Sequence, residues 1–163
     1  MLDGAKHRFR YYRFPLRWVP VWSLATFLAA SLVSGTLYLL NVEIPEGLVE
    51  RLWTSPGVDL VLDVVVVPLA ETFLLLLLYV LASPWLKPLP AAVASAVVMA
   101  GLHAAVWWAW GLIALVPFLA FSLPLCARIR RGRAFVVSSS MHAFHNLYVL
   151  VLSELMLRFG AQG

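Results

Sequence analysis

Five long apolar runs, separated by short polar or proline-rich breaks, dominate the chain. The first extends from about Trp18 to Leu40 and the second from about Val58 to Ala82. The third covers about Ala91 to Trp108, the fourth about Gly111 to Ala127 and the fifth about Phe135 to Leu157. Each lies near the roughly 20 apolar residues that a helix needs to cross a hydrocarbon core. The breaks have physical causes. "NVEIPEGLVERLWTSPG" carries Glu43, Glu46, Glu50 and Arg51. "SPWLKPLP" holds three prolines in eight residues and cannot continue a helix. Trp107, Trp108 and Trp110 suit a membrane interface, Pro117 and Pro124 are expected to kink the fourth run, and "RIRRGR" is a basic turn. The pattern predicts an all-α, polytopic transmembrane helical bundle of about five spans with a four-helix core. Residues 1–17 form a basic tail, 18–41 the first transmembrane helix and 58–157 the main transmembrane domain.

Composition agrees with the pattern. Of 163 residues, 63% are hydrophobic and only 12% charged, and mean hydropathy is +0.90. This is far outside the range of ordinary soluble domains. A cleaved signal peptide competes for the first run. Its apolar region would span about 7–15 residues, so the longer run reads as a retained helix. With the N-terminus in the cytoplasm, the inner segments hold Lys6, Arg8, Arg10, Arg13, Arg17, Lys87, Arg128, Arg130, Arg131 and Arg133. Only Arg51 and Arg158 of the twelve basic residues are left outside. The positive-inside rule therefore accounts for the basic pI without nucleic-acid binding. The single cysteine, Cys126, excludes an internal disulfide and reads as a small apolar residue near a helix end.

A few polar side chains interrupt the apolar runs. Glu71 stands in "VVVVPLAETFLLLLLYVL", where an acid costs a few kcal/mol by insertion scales of about 2.5–3.5 kcal/mol. Pro68, three residues earlier, frees a backbone carbonyl. His103 lies in the third run, where Gly101 and nearby alanines suggest close helix approach. His142 and Asn146 are four apart and share a helix face, with Ser138 one turn earlier; His145 is rotated away and reads as structural. At about 1.5 Å per residue from the expected cytosolic ends, Glu71 lies about 17 Å deep, His103 about 18 Å, His142 about 11 Å and Asn146 about 17 Å. Three helices thus present polar groups at a similar level, predicting one buried pocket open to the cytosolic side.

These positions resemble the CPBP family of intramembrane proteases, which includes the type II CAAX prenyl endopeptidases and bacteriocin-processing or immunity proteins. The family's motifs EExxxR, FxxxH and HxxxN or HxxxD are matched here by "ETFLLL", Glu71 to Leu76, "MAGLH", Met99 to His103, and "HAFHN", His142 to Asn146. The resemblance covers roughly residues 58–157. Thr72 stands where the family has its second Glu, Leu76 where it has Arg and Met99 where it has Phe. Positions 72 and 76 have the spacing of a helical ion pair, so the pair is expected to be structural in relatives and replaced here as a unit. The resemblance implies hydrolysis of a peptide bond within the membrane, with no cofactor and no required metal. Glu71 would activate water with help from His103, while His142 and Asn146 would stabilise the oxyanion. The expected partners are a membrane-associated peptide or protein substrate and the lipid bilayer. Two other readings of the same residues stay open: a divalent metal on Glu71, His103 and His142, and a non-catalytic polar cavity in a scaffold, binding protein or transporter.

Overall fold

The structure, a computed structural model, describes residues 16–43, 45, 60–127 and 129–160, the last four of these by backbone alone. The expected basic positions Lys6, Arg8, Arg10, Arg13, Arg51 and Arg128, with Glu46 and Glu50, lie outside the described residues, as does the side chain of Arg158. Among the described residues, five helices form an all-helical membrane bundle. Helix α1 is Val19–Leu39, preceded by a 3-10 turn at Leu16–Trp18. Helix α2 is Val67–Ala82, entered through a π-helical turn at Leu62–Val66. Helices α3, α4 and α5 are Pro88–Ala104, Trp108–Cys126 and Arg131–Gly160. Four of these, counting α2 with its π-turn, are long and apolar enough to cross a membrane.

Local chemistry sets the ends. Asn41 adopts a left-handed φ of 56° after α1, and the Asn41 and Val42 amides donate back to the Tyr38 and Leu37 carbonyls. This Schellman arrangement satisfies carbonyls that a helix end leaves open. Extended Lys87 leads into Pro88 and Pro90 in the first turn of α3, where a missing N–H costs nothing. The third run ends earlier than its hydropathy suggests. Ala105 and Val106 turn, Trp107 is extended, and Trp108 already belongs to α4. Helix α3 is therefore 17 residues long, short of the Ala91–Trp108 span expected from sequence. Helix α4 continues through both of its buried prolines.

Helix α5 packs against α1, α2 with its π-turn, and α4; α3 packs on α2 and α4. The α1 segment, read from sequence as preceding the main domain, is thus part of the bundle. Phe121, Leu75, Met99, Met141 and Val137 form the innermost packing. Large apolar residues such as Leu28, Leu32, Phe73, Leu81 and Val97 face outward, as expected for a bundle solvated by acyl chains.

Small residues supply close helix approach where lipid gives apolar side chains little reason to associate. The tight point is Gly111 rather than Gly101. A Cβ on Gly111 would collide with the Ala104 methyl and lie 2.8 Å from the Ala100 carbonyl, whereas one on Gly101 meets nothing within 4 Å. We expect Gly111→Ala to lower stability by about 1–3 kcal/mol through overpacking. Gly101→Ala should be neutral or stabilising by up to about 1 kcal/mol. Unfolding of both variants in detergent checks this contrast, and equal effects would contradict it.

Candidate active site

The π-turn generates the first element of the site. Val67 N–H donates to the Leu62 carbonyl, five residues back. The next carbonyl, that of Asp63, would look to residue 68 in the same pattern, but Pro68 has no N–H. The Asn146 side-chain amide donates to the Asp63 carbonyl at 2.7 Å instead. A backbone acceptor within an apolar bundle is therefore satisfied from another helix. Sequence placed Asn146 as an oxyanion donor; one of its amide hydrogens is committed to this clasp.

Glu71 follows one turn after Val67 on the same face. Its Oε1 lies 3.6 Å from His103 Nε2, and its Oε2 lies 3.4 Å from His142 Nε2. Each imidazole thus attends a different carboxylate oxygen, at separations just beyond an ordinary N–H···O bond of about 2.7–3.2 Å. His103 Nδ1 is 2.9 Å from the Met99 carbonyl. A carbonyl only accepts, so Nδ1 carries the proton and neutral His103 presents the Nε2 lone pair to Glu71. The pair is arranged to share a proton. Met99, at the position where the resembling family has Phe, is buried and orients His103 through its backbone.

His142 is 5% exposed, stacks on Phe121 with ring centroids 4.6 Å apart, and has no partner at Nδ1. Phe118 meets both His103 and His142 with its ring. Ser138 does not add to the polar face. Its hydroxyl donates across to the Phe121 carbonyl of α4 at 2.6 Å, next to the Ala120 carbonyl that Pro124 leaves without a helical donor. His145 packs where its rotation suggested, against α1, with Nδ1 3.4 Å from Thr26 Oγ1 and its ring edge toward Phe27. Thr72, one residue beyond Glu71, is fully buried with an unpartnered hydroxyl, and Leu76 packs against the core.

Glu71, His103, His142, His145 and Asn146 line one cavity of about 450 Å³. The four expected site residues are therefore brought together from α2, α3 and α5. Asp63, Trp110, Phe118 and Phe121 also line it and were missed in the sequence. Trp110, expected at a membrane interface, turns its ring against His103 with centroids 5.1 Å apart. The stripe Trp110, Ala114, Pro117, Phe121 has helical spacing, and that was the available signal. Contrary to the expected cytosolic opening, the pocket does not lead toward the basic α4–α5 turn. Its wall runs from Glu71 to Asp63 at the start of α2 and to Ser153 late in α5, the opposite end of the bundle. Helix ends cause this, because His103 lies next to the C-terminus of α3 rather than at mid-helix.

Among the described residues no group of three or more His, Cys, Asp or Glu is arranged to hold a metal ion. Comparisons with family models, with curated proteins and with solved structures found no match.

The clasp can be tested by a double-mutant cycle. Asn146→Ala should cost about 1–3 kcal/mol by orphaning the Asp63 carbonyl. In a Pro68→Ala background, where residue 68 regains an N–H, the same change should cost clearly less. Equal costs in both backgrounds, measured by unfolding in detergent, would remove the clasp from the account.

Proposed function

We propose that this chain is an intramembrane endopeptidase of CPBP type, acting on a membrane-associated peptide or protein. One observation carries the reading: a carboxylate held between two imidazole Nε2 atoms on the wall of a cavity inside apolar helices. Such a constellation costs free energy in a membrane and suits proton transfer. The motif resemblance adds the reaction class. The basic residues favour an N-terminus and an α4–α5 turn in the cytosol.

In the proposed reaction, water binds beside Glu71 and within reach of the His103 lone pair. Glu71 takes one proton as the water oxygen bonds to the substrate carbonyl carbon. His103 accepts a hydrogen bond from the remaining O–H. His142 Nε2–H and the second amide hydrogen of Asn146 are the donors for the oxyanion, each worth about 2.7–4 kcal/mol in sites of this kind. Glu71 then returns its proton to the departing nitrogen as the C–N bond breaks. Separations of 3.4 and 3.6 Å suit groups that tighten on a substrate.

A non-catalytic binding cavity is the second reading, favoured by Thr72 and Leu76 in place of the family's Glu and Arg and by the engagement of Asn146 with Asp63. Peptide cleavage in membranes separates the two. Wild type should cleave a responsive substrate, and Glu71→Gln should lower kcat by at least about 100-fold. Cleavage unaffected by Glu71→Gln would remove Glu71 from the mechanism.

A further inference from the structure

The π-turn has a second effect, on register. In an unbroken α-helix, eight residues turn through about 800°, which leaves positions 63 and 71 about 80° apart. A π-turn acts as a one-residue insertion. The interval then behaves as seven residues, or about 700°, and the two side chains fall within about 20° of one another. Asp63, Val67 and Glu71 form one stripe, and all three line the cavity. The inward positions of this segment follow the same spacing, with Pro68, Thr72 and Leu75 buried one residue round. The turn that needs Asn146 thus places a second acid on the wall, about 11 Å from Glu71 along the helix axis.

The cavity is suited to an occupant. Its walls are mainly apolar, with Val67, Ala114, Pro117 and Leu150 among them. His142 adds a nearly buried side chain whose Nδ1 is unpartnered. An acid here would be stabilised by a cationic group and would repel an anionic one. An extended peptide advances about 3.3 Å per residue. A residue about three positions from a carbonyl held at Glu71 therefore reaches Asp63.

We propose that Asp63 is a specificity-determining residue that selects peptides bearing Lys or Arg about three residues from the bond placed at Glu71. This rests on the reading of the cavity as a peptide site. Asp63 sets which segment enters, and Glu71 acts on it. An apolar segment with one basic residue fits the mixed wall, because the alkyl stem lies along Val67 while the charge meets the carboxylate.

The test uses the full chain in phosphatidylcholine nanodiscs and fluorescent 20-residue apolar peptides carrying one Lys, moved stepwise, or Gln at the same position. Binding is read by anisotropy on Glu71→Gln protein, with empty nanodiscs subtracted, and cleavage is read on wild type. We expect at least about tenfold tighter binding of the best Lys peptide than of its Gln counterpart. Asp63→Asn, added to Glu71→Gln, should bring that ratio close to one. Asp63→Glu should restore part of it, and Asp63→Lys should turn the preference toward a Glu-bearing peptide. Unfolding temperatures of the variants identify any that fail to fold, and the Lys-to-Gln ratio is read on those that do. Lys-selective binding that depends on Asp63 without cleavage would support the cationic subsite and refute the protease reading. Lys and Gln peptides bound alike, with or without Asp63, would overturn the inference whether or not cleavage occurs.

Discussion

A backbone carbonyl in hydrocarbon cannot go without a donor, and the Asp63 carbonyl has lost its own to Pro68. The Asn146 amide at 2.7 Å replaces it and ties α5 to the start of α2. Much of the site depends on that bond. It fixes the distance between the helix that carries Glu71 and the helix that carries His142. It also holds the π-turn that aligns Asp63, Val67 and Glu71. An asparagine is suited to the task because its amide donates to the carbonyl while keeping a second hydrogen for the cavity.

The same constraint explains the division of labour among the polar groups. Ser138 donates to the Phe121 carbonyl of α4, and Met99 supplies a backbone acceptor that sets the His103 tautomer. Glu71 and the Nε2 atoms of His103 and His142 face one another. Apolar packing then holds the rings, with Phe121 stacked on His142 and Phe118 and Trp110 around His103. Proton-sharing groups kept apart by 3.4–3.6 Å and surrounded by aromatic rings have a polarity unlike that of the acyl chains outside.

Much of this could be read from residue pattern, and the rest could not for identifiable reasons. The helices follow their apolar runs because length and hydropathy decide membrane crossing. The exception is α3, which ends at the Ala105–Val106 turn, a feature of backbone geometry rather than composition. Glu71, His103 and His142 were conspicuous because ionisable groups are rare in such segments. Asp63 met the same criterion but lay close to the expected end of its span, where an acid reaches water cheaply. Its inward direction follows from the π-turn, which a constant 3.6-residue period cannot represent. Trp110 suited both an interface and an inner wall, and its contact with His103 decides for the wall. The basic turn marked one end of the bundle without revealing that the cavity extends toward the other.

One carboxylate on α2 interacts with imidazoles on both α3 and α5. Nitrogen-15 NMR of the histidine side chains in a bilayer tests it most directly. His103 should show a protonated Nδ1, and Glu71→Gln should move the Nε2 resonances of His103 and His142 together. An unprotonated Nδ1 in neutral His103, or an Nε2 resonance of either histidine that ignores Glu71→Gln, would contradict the account.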